Sequence, residues 1–323
     1  MKKAVLASAV VAAFVSGSAL AAEVYNSDGT SLKIGGRAEF RGDFVGTSSG
    51  GEIDGTMANN SRFRLNVGGE SEITSDLSGF GFYEAEQGVV SSADKTSETD
   101  FKQRYMYAGL KGDFGAVSFG RQDTAAVQIS QMSDISTYSG DQKAFINAGN
   151  EQINNTIAYA YGNDDLSLKA SYIAGEDKDT DGFGISGIYT LPMGLGLGLG
   201  YSANDNGEGE GAGNAIIAGV NYSMDALYVG ATYTTGELDD DVKSDFSGVE
   251  LAAQYSFNDQ FSLIGAYQWQ ELDTVIGKGD ISDFFEITGT YKFNSDIRSY
   301  VAYKLNNLDD AEDSLRLGLR YDF

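Results

Sequence analysis

The sequence predicts an all-β fold: a closed, 16-stranded antiparallel transmembrane β-barrel, with short turns on one rim and long polar loops on the other. Three observations predict it. Apolar and polar residues alternate with period two along most of the chain. Proline occurs once, at Pro192, against 42 glycines, 19 tyrosines and 18 phenylalanines. Beyond the N-terminus no stretch holds 18 consecutive apolar residues, the length of a membrane-spanning helix. Proline removes a ladder donor and is excluded from sheet interiors, so a long chain almost free of it reads as paired strand.

The N-terminus comes first. Lys2 and Lys3 precede an apolar run from Ala4 to Val15, then Ser16-Gly17-Ser18 and Ala19-Leu20-Ala21. A basic start, a short apolar run and an A-x-A site make a secretory leader, cut before Ala22. The run is too short to cross a bilayer as a helix. The chain therefore divides into a cleaved segment 1–21 and a barrel over 22–323. Loss of Lys2 and Lys3 leaves 20 basic residues against 47 acidic, a formal charge of −27. That field disfavours nucleic acid. There is no cysteine, so no disulfide framework. There is no histidine, which removes His-based triads, His general bases and His metal sites.

The strands follow in order. In 32–44, Leu32, Ile34, Ala38, Phe40 and Phe44 oppose Lys33, Arg37, Glu39, Arg41 and Asp43. In 62–73, Phe63, Leu65, Val67 and Ile73 oppose Arg62, Arg64, Asn66, Glu70 and Glu72. Segments 260–270 and 297–306 alternate the same way. The sixteen strands are 32–45, 60–73, 79–90, 101–112, 115–121, 153–162, 165–175, 181–191, 194–203, 214–223, 226–236, 246–257, 260–270, 282–293, 297–306 and 314–323. In the second half Tyr189-Thr-Leu191, Tyr222-Ser-Met224, Tyr255-Ser-Phe257, Tyr291-Lys-Phe293 and Tyr321-Asp-Phe323 repeat at spacings of 33, 33, 36 and 30. A tight-turn segment follows each of the first four. Long acidic loops, DNGEGEG (205–211), GELDDD (236–241) and NLDDAED (307–313), lie at the other strand ends. This asymmetry is that of outer-membrane barrels. A soluble β-sandwich also alternates. Here, however, arginine recurs on the polar face and aromatics sit near strand ends, as at bilayer interfaces. Lipid satisfies no backbone N–H or C=O, so the sheet must close, the last strand pairing with the first.

The chain resembles the general trimeric porins of the Gram-negative outer membrane, closest to the major porins of marine vibrio-type bacteria. The resemblance runs over the whole of 22–323. It is carried by AEVYNSDGTSLKIGGRAEF (22–40), FRLNVGGESEI with TSDLSGFG (63–81), RYMYAGLKGDFGAVSFGRQ (104–122) and the terminal YDF (321–323). It implies short periplasmic turns, long extracellular loops and a third loop folded into the lumen. It implies a non-enzymatic, passive diffusion channel for small hydrophilic solutes and ions, a homotrimer, and a Phe323 read by the barrel-insertion machinery. The trimer contact is placed around strands 1–5 and 16, where Gly36, Gly42 and Gly69 interrupt the outward face. No cofactor is implied.

The resemblance also selects site residues. Arg37, Arg64 and Arg104 match the family's basic ladder, and alternation independently turns Arg37 and Arg64 inward. Arg41 and Arg62 share that face, with Glu39 and Glu84 as further lumen charges. Segment 122–152 lacks alternation and is long enough to be functional. It matches the pore-constricting loop, with Asp134 and Asp141 at the acidic positions. The family's proline-glutamate-phenylalanine stretch is absent there, and Gln152 stands where a further basic residue is usual. Opposed fixed charges across a narrow watery passage favour polar solutes and set ion selectivity. The charge of −27 and the acidic loops lead us to expect cation preference.

Other motifs read as less than they suggest. DKDTDGFG (177–184) starts like a calcium loop, but its twelfth position is Ile188 and not the bidentate glutamate. It reads as an acidic outer loop, one of several suited to loose Ca²⁺ or Mg²⁺ bridging of lipopolysaccharide. GLGLGLG (194–200) lacks the spacing and following helix of a dinucleotide site. It reads as a strand with leucines outward and bare glycines inward, a thin place in the lumen wall. A substrate-selective porin, for an oligosaccharide for example, is the nearest rival. It needs an aromatic track in the lumen, whereas most aromatics here fall on the outward parity. An adhesion role through the outer loops is compatible with either.

Overall fold

The computed structural model describes residues 21–46, 53–89, 100–309 and 311–323. The expected leader lies outside these residues apart from Ala21.

The first half of the sheet comprises β1 (Ala22–Ser27), β2 (Thr30–Gly46), β3 (Ile53–Asn59), β4 (Arg62–Thr74), β5 (Leu77–Gly88), β6 (Lys102–Gly112), β7 (Gly115–Gln122), β8 (Ile153–Gly162) and β9 (Leu166–Ile173). The second comprises β10 (Gly182–Thr190), β11 (Leu195–Asp205), β12 (Ala212–Met224), β13 (Leu227–Glu237), β14 (Ser244–Ser256), β15 (Phe261–Thr274), β16 (Gly277–Lys292), β17 (Ile297–Asn306) and β18 (Ser314–Asp322). All pairings are antiparallel, and β18 pairs with β2 to close the sheet.

Among the described residues eighteen segments make sixteen lanes, because two lanes along β2 are each built from two pieces. On one edge β1 pairs with the start of β2 (Ala22 opposite Ile34) and β18 with the rest (Asp322 opposite Arg37). On the other edge β4 covers Thr30 to Glu39 and β3 takes over at Gly42. The alternation pattern gives sixteen strands but not β1 or β3. The turn joining β1 to β2 is Asp28-Gly29, both at positive φ, the backbone a two-residue hairpin requires.

The two faces differ as the period-two pattern dictates. On β10, Phe183, Ile185 and Tyr189 are exposed while Ser186 is buried. On β14, Leu251 and Tyr255 are exposed while Glu250 is fully buried. In a bilayer the exposed apolar set meets hydrocarbon, and the closed ladder leaves no unpaired edge in it. The rims are unequal. Two-residue turns (75–76, 113–114, 225–226) mark one, and connections such as 123–152, 174–181 and 238–243 the other. One outer connection departs from the expected long loop. β15 and β16 remain paired out to Thr274 opposite Gly277, so only Val275 and Ile276 form the tip.

Of the three outward glycines at the expected trimer contact, Gly36 and Gly42 are covered by the chain itself, whereas Gly69 has only ordinary contacts. The Phe323 ring lies over Gly36, and Met57 lies over Gly42. Phe323 also exchanges backbone hydrogen bonds with Gly36, at 3.1 and 2.9 Å, and stacks on Phe63.

Candidate functional site

Segment 123–152 leaves the rim after β7 and lies against the inside of the wall. A short helix, α1 (Val127–Ser130), and two 3₁₀ turns (Asp141–Lys143 and Asn147–Gly149) are its regular parts. The outward path crosses β10 to β18. Gln128 donates to Ser186 on β10. The Met132 carbonyl accepts from the Tyr228 hydroxyl on β13 at 2.7 Å. Ser133 donates to Glu250 on β14 at 2.8 Å, and the Gly140 N–H donates to the same carboxylate at 2.7 Å. Glu286 on β16 accepts from the Ser136 hydroxyl, the Thr137 N–H and hydroxyl, and the Tyr138 N–H. At the far end Tyr138 shares a hydrogen bond with Ser314 on β18, and Arg316 stacks 3.7 Å over its ring. The return path packs Phe145 on Phe246 at 4.2 Å and ties the Ala148 N–H to Asn204.

The wall this segment leaves uncovered, β2 to β6 with the neighbouring parts of β17 and β18, carries an ion network. Arg62 donates to Glu39 at 2.6 Å and lies 3.6 Å from Glu86. Arg64 binds Glu86 at 2.6 Å and Glu84 at 3.3 Å. Arg104 donates to Glu84 at 2.8 Å. Arg37 lies 3.8 Å from Glu86. Arg41 and Arg316 both meet Asp43, the latter at 2.8 Å. Arg298 and Arg320 meet Asp322, and Tyr300 donates to Glu39. Among the described residues eight arginines thus face five carboxylates, and every ion pair spans adjacent lanes or neighbours on one strand except Arg37–Glu86, which reaches from β2 across β4 to β5.

Arg37, Arg41, Arg62, Arg64, Arg104, Glu39 and Glu84 are therefore brought together. Asp134 and Asp141 are not part of that network. Asp134 is bound by Lys143 at 3.1 Å and by the Ser139 hydroxyl. Asp141 is approached by the Gln268 amide at 3.3 Å. Arg104 shares outward parity with Met106 and Leu110, so alternation alone would aim it at lipid. A bulge between Glu84 and Ala85 leaves it without a cross-strand partner and turns it to Glu84. Re-aiming one side chain is what a bulge does. Glu250 and Glu286, which hold the segment, were not among the residues selected from sequence. The available signal is a lone glutamate on the inward parity of a strand with no arginine opposite.

At the base of the segment, Asp123 accepts from the Tyr105 hydroxyl at 2.9 Å and the Gln152 N–H at 3.2 Å. Burial, then the nearby Glu151, pushes its carboxyl up to about 6. Burial works against the Lys143 charge, but Asp134 and Glu151 outweigh it and hold the ammonium above its ordinary range. Burial raises the Tyr138 hydroxyl.

A closed antiparallel barrel with an apolar outside, a charged lumen and an inserted segment defines an outer-membrane channel. A family model described as Gram-negative porin matches residues 7–311. Outer membrane protein U of Vibrio vulnificus is 37% identical over the full length of both chains. Porin-like protein L of Photobacterium profundum is 32% identical and outer membrane porin F of Escherichia coli 28%, again over the full length of both. Among solved structures, Salmonella typhi OmpF in complex with daunomycin superposes with a TM-score of 0.79 at 21% identity, over 94% of this chain and all of that one. The trimer form of Vibrio cholerae OmpT gives 0.71 at 20% identity, over 92% of this chain and all of that one. The chain belongs to the Gram-negative porin family. It is a passive, non-enzymatic channel of the outer membrane.

Proposed function

We propose that the protein is a homotrimeric, cation-preferring diffusion pore whose narrowest passage runs between segment 123–152 and the arginine wall. The carrying observation is the division of the lumen. The segment is fastened to β10–β18, and the ion network lines the wall beyond it, meeting the segment at Arg316, which also donates to Thr137. In this reading Arg37, Arg64 and Arg104 face the passage and Arg41, Arg62, Glu39 and Glu84 complete its charge. Asp134 and Asp141 belong to the segment's own edge. Five carboxylates cancel only part of the field of the eight arginines, so the wall itself keeps a local positive excess. The excess of acid over the chain without its leader, 47 acidic residues against 20 basic, then decides which ions collect at the mouth. Small polar solutes and ions cross such a passage, and apolar solutes gain nothing from its ordered water.

Cleavage before Ala22, recognition of Phe323 by insertion machinery and loose divalent bridging of lipopolysaccharide by the acidic loops complete the proposal. The trimer rests on the full-length relatives and on the trimer form of OmpT. Purified protein in planar bilayers under a KCl gradient tests the selectivity. A reversal potential of the cation sign is expected, and clear anion selectivity would overturn it.

A further inference from the structure

The stretch GLGLGLG is not a bare, thin part of the wall. Leu197 and Leu199 do face outward, but the inward glycines are covered by the inserted segment. Gly198 on β11 sits directly opposite Gly219 on β12. A Cβ on either would lie 2.7 Å from the Met132 Sδ. The same two positions come within 3.0 and 2.9 Å of Ile129. On β13, a Cβ at Gly230 would lie 1.9 Å from the Met132 carbonyl oxygen. Ile129 and Met132 are almost wholly buried and pack with Ala126 and Ile217. Three adjacent strands therefore lack a Cβ layer just where the end of α1 lands, and two apolar side chains fill the depression. The Tyr228 hydroxyl and the Ser133 contacts with Thr232 and Glu250 fix the next residues on β13 and the neighbouring β14.

We propose that Gly198, Gly219 and Gly230 are the positioning residues that set pore width, by letting the segment sit one methyl layer deeper in the wall than any other residue would allow. This rests on the reading that segment 123–152 narrows the pore. Close-packed interiors do not absorb an added methyl without displacement. At Gly230 the obstacle is a backbone oxygen, so the segment itself must rise by about 1.5 Å to restore an ordinary contact distance. The rise is directed into the lumen, because the wall behind is a hydrogen-bonded sheet.

Single-channel recordings on Gly230→Ala, Gly198→Ala and Gly198→Ala/Met132→Ala test this, with Gly265→Ala as control. Gly265 has open space where its Cβ would be. Conductance is expected to fall by about a third or more in the two single seat variants, since pore dimensions govern flow. It should return toward the parent value when Met132 is cut back, and stay at that value in the control. Should Gly230→Ala fail to assemble, the Gly198 pair still decides. Parent-like conductance in Gly198→Ala, or no recovery in the double variant, overturns the seat. A parent protein that forms no channel overturns the pore reading instead, so the two failures are distinct.

Discussion

Consider Glu286→Gln, which alters one atom group on β16 that holds Ser136 to Tyr138 of the inserted segment. The carboxylate takes the Thr137 N–H at 3.0 Å and the Thr137 hydroxyl at 3.1 Å on one oxygen. It takes the Ser136 hydroxyl and the Tyr138 N–H, the latter at 3.1 Å, on the other. A glutamine amide presents oxygen on one side only. Its NH₂ then faces either the Tyr138 or the Thr137 N–H, and one buried donor is left without an acceptor. That costs about 1–3 kcal/mol, and loss of the charge adds roughly another 1. The tip keeps the Arg316 donation to the Thr137 carbonyl and the stack on Tyr138, so it loosens without leaving. A loss of about 3 kcal/mol raises the released population on the order of a hundredfold. Hydrogen exchange in detergent micelles reads this directly at the Thr137 and Tyr138 amides, and open-channel current noise should rise with it. Unchanged exchange at both amides would refute the claim that Glu286 holds the tip.

Three further outcomes follow. Arg64→Ala removes the cation that bridges Glu84 and Glu86; the reversal potential in a KCl gradient should move further to the cation side, and a move to the anion side counts against a lumen-facing Arg64. Asp123 titrates at about 6 against an ordinary 3.8. Its raised value favours the protonated native state, so stability should fall as pH rises from about 4 to 6 and stay level above. Asp123→Asn keeps both bonds to Oδ1 and should abolish that pH step in denaturant unfolding; persistence of the step assigns it elsewhere. Deleting Phe323 strips Gly36 of two backbone bonds and Phe63 of its stacking partner. Refolding into detergent should slow severalfold, as closure of the seam loses its last pairing.

Alternation made the barrel legible because each strand writes its two solvents, lipid and water, directly into its side chains. It gave all sixteen lanes, and placed Arg37 and Arg64 on the correct face. It is silent where a strand deviates from simple pleating. β1 and β3 are short pieces sharing a lane with longer partners; the Asp28-Gly29 turn is a local mark of β1, but alternation picks out neither. Arg104 reaches the network through a bulge, which inverts the parity on which such reasoning depends. Asp134 and Asp141 were selected by position in a family motif. Their nearest partners, Lys143 and Gln268, are set by the path of a segment with no periodicity. The glycines of β11 looked empty because what fills them comes from residues some 70 positions earlier in the chain.

The ion network is anchored wholly on hydrogen-bonded strands, whereas the opposing boundary is a detachable ribbon clipped down by Glu250 and Glu286. In the proposed pore the wall's fixed charges lie on the sheet, while the aperture depends on how deep the ribbon sits in its glycine seat. An engineer wishing to retune which ions pass would rewrite sheet residues and leave the ribbon alone. One wishing to admit bulkier cargo would shorten the ribbon and keep the polarity of the tunnel as it is.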